Sequence, residues 1–179
     1  ILRDHKGLQN TDLGLANEMA INQFIAHHSV IFQPEKRLMW VSTSPWQCGK
    51  YVAYDLNKIF KDTIDWQHEI YSSDLTIPED KFIDTPEFQH LLTYKKLTPL
   101  LLKKIRKKEQ IEESVLKTYQ ASNPSLYYVY EVIGDYYEAM QQSKQAIAYW
   151  QQALKKSIPK LQEKERIQQK IQKQSKDGK

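Results

Sequence analysis

The chain has 179 residues, 40 % hydrophobic and 27 % charged, with a net charge of +4. That length admits one ordinary domain or two small ones with a core, and no apolar run approaches the ~20 residues of a membrane span. A single cysteine, Cys48, excludes an internal disulfide, paired-cysteine zinc motifs, HExxH and GxxxxGKS/T are absent, and five glycines leave no glycine-rich phosphate loop. No metal-ligating set and no cofactor motif is expected.

Residues 1–7 read as the end of a segment begun upstream, since the first residue is Ile1 and not Met. Asn10 to Asn17 is turn-rich, and Asn17 to Asn22 either opens a short helix or leads into the first strand. From Phe24 the hydrophobic period becomes two. Phe24, Ala26, His28, Val30 and Phe32 fall on one face, and Ile25, His27, Ser29 and Ile31 on the other. β-branched and aromatic residues in that alternation predict a strand over 24–32. Gln33-Pro34-Glu35-Lys36 breaks it, with Pro34 preset for the second position of a type I turn. Arg37 to Thr43 returns as a second strand, with Leu38, Trp40 and Ser42 opposite Met39, Val41 and Thr43. Two runs joined by a proline turn make a β-hairpin.

A hairpin with large apolar groups on both faces is marginal alone. C-terminal to it, only Lys50 to Asp55 reads as a further strand, so the other members of the sheet are expected outside this sequence. Cut from them, the hairpin is expected to expose Phe24, Val30, Phe32, Met39 and Trp40. It then self-associates through its edges or is covered by the 57–119 helices.

Residues 57–84 alternate short apolar pieces, including Ile64 and Trp66, with charges, and Ser72-Ser73 and Pro78 act as breakers. This is a connector with short helices, starting near Pro78 and near Pro86. From Glu87 the period is helical: Phe88, Leu91, Leu92 and Leu97, then Leu101, Ile105, Val115 and Tyr119, with Pro99 as a kink or a new first turn. Asn123 caps the next helix. Helices are expected at 124–140, 144–157 and 159–174, the last a solvating cap with a sparse stripe of Leu161, Ile167 and Ile171. From Lys155 onward nine basic residues stand against three acids, +6 locally. The tail lacks aromatics that would stack on bases, so it reads as a solvated helix face and no nucleic-acid partner is expected.

Tyr130, Ile133, Gly134, Tyr137, Ala146, Trp150 and Ala153, with Pro159 displaced by one, resemble one tetratricopeptide repeat over about 127–159. The resemblance implies two antiparallel helices, with Gly134 and Ala146 allowing close approach and Tyr137 and Trp150 filling the remaining space.

The histidines and Cys48 carry little chemistry on their own. His27 and His28, adjacent on a strand, would point to opposite faces and could not chelate one metal. Ser29 likewise would face away from His28. Cys48, in a Pro-Trp-Gln-Cys-Gly turn, has no assignable base and reads as an inert thiol.

The run NEMAINQFIAHHSVIFQPEKRLMWVSTSPWQCGKYVAYDL, with HSVIF, QPEKRLMWVS and SPWQCGKYVAYDL as its features, is similar to the C-terminal end of bacterial acyl-CoA:6-aminopenicillanic-acid acyltransferase-like proteins. The resemblance covers about residues 1–60. It implies an N-terminal-nucleophile hydrolase with an αββα sandwich, freed by self-cleavage so that an N-terminal Cys attacks an amide or acyl thioester. This chain begins with Ile1 and Cys48 is internal, so no catalytic residue carries over, and the nucleophile is expected in the upstream half of the same precursor. His28, Ser29 and Trp46 are the candidate pocket-side groups, from their place on the hairpin and its following turn.

The expected architecture is therefore α+β. Residues 1–60 are the C-terminal strands of a sandwich, 61–86 a connector, and 87–179 a helical region with one repeat. The expected function is the C-terminal portion of an acyltransferase or linear-amide C–N hydrolase, inactive as this chain alone. The alternative is a tetratricopeptide-like module that binds a protein partner and catalyses nothing. A bacterial cytoplasm or envelope fits either.

Overall fold

The computed structural model describes residues 1–61 and 70–177; Ile64 and Trp66 of the connector lie outside them. The chain is α+β and divides into two compact units. A sheet unit comprises Ile1–Asp4 and Ile21–Thr85, and a helical unit comprises His5–Ala20 and Pro86–Lys179.

In the sheet unit, β1 (Val30–Gln33), β2 (Leu38–Ser42), β3 (Tyr51–Asp55) and β4 (Ser72–Ile77) form an antiparallel meander in that order. Pro34–Lys36 makes a single 3₁₀ turn closed by Arg37 in the left-handed region, which sets the register Val30↔Val41 and Phe32↔Met39. Asp55 ends β3 and caps the short α1 (Leu56–Ile59) by accepting from the Asn57 N–H.

Three expectations change here. The first strand starts at Val30, not Phe24, because Phe24 sits at φ 51°; its ring is buried against Phe82, 5.5 Å between centroids. The fourth strand comes from within the chain, in the segment read as a connector. It pairs Tyr51 with Ile77 and Ala53 with Ser72 around an irregularity, so its own sequence carries no clean alternation. Trp40 is half-buried, its indole N–H donating to the Leu75 carbonyl at 2.9 Å.

The helical unit holds α2 (Pro86–Lys107), α3 (Glu113–Ser122), α4 (Tyr127–Ala139), α5 (Ser143–Leu154) and α6 (Leu161–Asp177). α2 starts on Pro86, where the missing N–H is harmless, and runs on through Pro99. The Thr98 hydroxyl donates back to the Tyr94 carbonyl and lies 3.1 Å from the Tyr119 hydroxyl. Leu91, Leu101, Tyr119, Val129, Ile133, Ala146, Trp150, Ala153 and Ile167 are fully buried; burying each large aliphatic side chain stabilises by about 1.5–3 kcal/mol.

Asn123 does not cap α4, whose N-cap is Leu126 with no side-chain bond. Its amide instead grips the backbone of Leu15 from both sides: Oδ1 accepts from the N–H at 3.0 Å and Nδ2 donates to the carbonyl at 2.7 Å. Apart from one 3₁₀ turn at Leu8–Asn10, the 5–20 segment is neither helix nor strand. Asn17 is buried there, donating to the carbonyls of Leu13 and Ser157. Gly14, at φ +78°, lets this loop press on Leu126, whose backbone N would lie 2.4 Å from any Cβ.

Of the α6 stripe, only Ile167 is buried and Leu161 is exposed. Polar pairs between α6 and α4 do what the sparse stripe cannot. Glu163 accepts from Tyr127, Arg166 forks onto Glu131, Lys170 bridges Glu131 and Asp135, and Gln174 donates to Glu138. The spacing on α6 is three or four residues throughout, one helical face. Part of the basic tail is thereby paired.

Candidate functional site

The turn between β2 and β3 is held by its own backbone. Thr43 N–H and hydroxyl both donate to the Lys50 carbonyl, at 2.7 and 3.1 Å, and Cys48 N–H donates to the Pro45 carbonyl at 2.7 Å. Gly49 is needed at its narrowest point, where a Cβ would lie 2.2 Å from the Ser44 carbonyl oxygen. Trp46 and Gln47 have φ of 37° and 70°, conformations that cost an L-residue energy and persist only where surroundings fix them.

Arg3 supplies that fixing. Its Nε donates to the Gln47 carbonyl at 3.2 Å, and one terminal nitrogen donates to the carbonyls of Gly49 and Pro78 at 2.8 and 2.7 Å. Its guanidinium also lies over the Tyr51 ring. Nothing in residues 1–7 hinted at this clamp; a lone Arg has no periodic signal.

The turn and the chain entering β1 together border a cavity of about 350 Å³, lined by His27, His28, Ser42, Thr43, Ser44 and Trp46. Of the three candidate pocket-side residues, His28 and Trp46 line it and Ser29 does not. Ser29 acts through its backbone: its N–H donates to Ser42 Oγ at 2.8 Å and its carbonyl accepts from Ser42 N–H at 2.9 Å. His27 and His28 precede the strand, so the opposed faces expected of strand neighbours do not apply. Both border the same hollow.

Cys48 stands apart from that chemistry. It is 1 % exposed, with the Asn22 side-chain amide 3.7 Å from its sulfur. Burial pushes its thiol pKa up, the opposite of what an attacking thiolate needs.

The sheet itself offers a second feature. Directly opposite residues of antiparallel strands share a face. The rows Val30–Val41–Val52 and Phe32–Met39–Tyr54 therefore build one face of six apolar or aromatic side chains. Val30 and Phe32 are exposed, at 42 and 63 %, and Met39, Val41, Val52 and Tyr54 are half-buried. On the other face Ser42, Tyr51 and Ala53 are buried.

Among the described residues no helix is long and apolar enough to cross a membrane, and no group of three or more His, Cys, Asp or Glu could hold a metal ion. No family model, no curated protein and no solved structure matches this chain.

Proposed function

We propose that this chain is the C-terminal portion of an acyltransferase or linear-amide C–N hydrolase of the N-terminal-nucleophile class. Its sheet is one layer of a sandwich whose other layer, with the nucleophilic Cys, comes from the rest of the same polypeptide. The observation that carries the reading is the partly open face of Val30, Phe32, Met39, Val41, Val52 and Tyr54, exposed at Val30 and Phe32 and half-buried at the rest. Monomeric proteins rarely leave contiguous apolar patches beyond a few hundred Å² uncovered, and face-to-face sheet packing covers just such a surface. The resemblance of residues 1–60 supplies the class, and the buried Cys48 fits a structural thiol. In this reading the helices are a tetratricopeptide-like extension of one repeat, supported by the buried Gly134, Ala146, Trp150 and Ala153 between α4 and α5.

The test is a longer polypeptide from the same reading frame. It is expected to cleave itself, expose an N-terminal Cys detectable by mass spectrometry, and hydrolyse amides or acyl thioesters, while the 179-residue chain hydrolyses neither. A longer polypeptide that stays intact and inactive would favour the second reading, an interaction module built on the helical unit.

A further inference from the structure

We propose that the outward face of α2 docks the helical unit on an anionic lipid surface. That face is the stripe Leu92, Lys96, Leu100, Lys103, Arg106 and Lys107. The assignment does not rest on the reading given to the sheet face.

Spacing is the first support. These residues recur every three or four positions, so they run as one stripe along about 22 Å of helix. Leu91, Tyr94 and Leu101 are buried on the other side of the helix. All six residues of the stripe are exposed, Leu92 at 37 % and Leu100 at 49 %. Charge is the second support. Between Glu87 and Glu109 the sequence holds seven Lys and Arg and no acid. Among the described residues Lys96 and Lys103 have no ion-pair partner, and Arg106 donates to the Leu102 carbonyl one turn back. Lys107 meets Glu109 at 3.7 Å, an exposed pair of the kind that contributes little.

The leucines among the cations decide the partner. A nucleic acid would set Leu92 and Leu100 against its phosphates, and the stripe holds no aromatic to stack on a base. An anionic bilayer engages both kinds of side chain. The leucines enter the boundary between headgroups and acyl chains, while the Lys and Arg stems lie along it with their charged ends among the headgroups.

Flotation of the 179-residue chain with phosphatidylcholine vesicles, with and without about 30 % phosphatidylserine, tests this. At about 0.1 M NaCl the chain is expected to float with the mixed vesicles and not with phosphatidylcholine alone. About 1 M NaCl, where charges are screened within about 3 Å, should release it. Each basic residue at such a surface strengthens binding about fivefold, so Lys96→Gln/Lys103→Gln/Lys107→Gln should weaken it at least about thirtyfold. Removing as many charges from α6, in Lys164→Gln/Lys173→Gln/Lys176→Gln, should weaken it less than about fivefold. Leu92→Gln/Leu100→Gln, which keeps the charge, should weaken it at least about fivefold. All three variants alter exposed side chains and should melt with the parent chain. The proposal is overturned if the chain does not float, if both vesicles carry it equally, or if the two lysine triples behave alike. It is also overturned if the leucine pair changes nothing, or if duplex DNA or polyglutamate displaces the chain from mixed vesicles at equal charge concentration.

Discussion

The indole of Trp150 on α5 lies against Gly134 on α4: a Cβ at position 134 would come within 2.4 Å of Cδ1 and Nε1. Real contacts to a Cβ are never so short, so even one methyl group must move the indole. The indole is held in place, its N–H donating to Asp135 at 2.9 Å. Gly134→Leu is therefore expected to destabilise the helical unit by about 1–3 kcal/mol or more. A thermal melt followed by helical ellipticity should show a drop of several degrees, and an unchanged melting temperature would contradict the packing described.

Glu131 is 2 % exposed and carries three charge-assisted bonds, two from Arg166 and one from Lys170. Removing the acid leaves Lys170, which is largely buried, with Asp135 as its one acidic partner among the described residues. Breaking a buried pair from one side costs about 3–5 kcal/mol, and half-exposed Arg166 places this site at the lower end. Glu131→Ala should thus lose about 3 kcal/mol in urea denaturation. Arg166→Ala leaves buried Glu131 with Lys170 as its remaining cationic donor and should lose about 1–3 kcal/mol. Losses of no more than a few tenths of a kcal/mol in both variants, the size of an exposed pair, would mean that burial of Glu131 is not what makes the network matter.

Alkaline solution should unfold the helical unit. Burial is the largest influence on Tyr94, Tyr119 and Tyr127, and it pushes each phenol far above its usual value; for Tyr127 the bond to Glu163 adds to it. Above about pH 10 the unfolded chain releases these protons and the folded one keeps them. The unfolded state then binds fewer protons and stability falls as pH rises. Lys170 acts in the same direction. Burial would lower its pKa, but Asp135 and Glu131 outweigh burial and raise it. Its pairing is fully present below the ordinary lysine value of 10.5 and is lost as pH climbs past the raised one. Part of the tyrosinate absorbance should therefore appear together with the loss of helix in a single transition. Full titration near pH 10 with helix content intact would refute this.

How much of this was legible in the sequence depends on how local each signal is. β2, β3 and the helix start at Pro86 rest on alternation, a turn proline and a first-turn acid within a few residues, and each sits where the residues place it. β4 was hidden because Ser72-Ser73-Asp74 has poor strand propensity; pairing with β3 imposes its form. Phe24 looked like a strand residue because period two says nothing about a positive φ. His28 and Trp46 could be placed near a pocket from the hairpin and its turn. The partnership of His27 with them could not, since it depends on the chain leaving the strand before residue 30. The Glu131–Arg166–Lys170 network joins residues 35 and 39 positions apart. A basic run on a Gln-rich helix looks the same from sequence whether its partner is water or a buried acid.

The central claim is that the face made by Val30, Phe32, Met39, Val41, Val52 and Tyr54 is covered by a second layer in the complete polypeptide. Covalent footprinting of Phe32, Met39 and Tyr54, read by mass spectrometry, tests it most directly. The comparison is between the 179-residue chain, diluted until it sediments as a monomer, and a longer polypeptide of the same reading frame. The account predicts strong labelling of exposed Phe32 and weaker labelling of half-buried Met39 and Tyr54 in the monomer, with at least about tenfold protection of Phe32 in the longer polypeptide, as expected where apolar side chains leave water. Equal labelling in the two would contradict it.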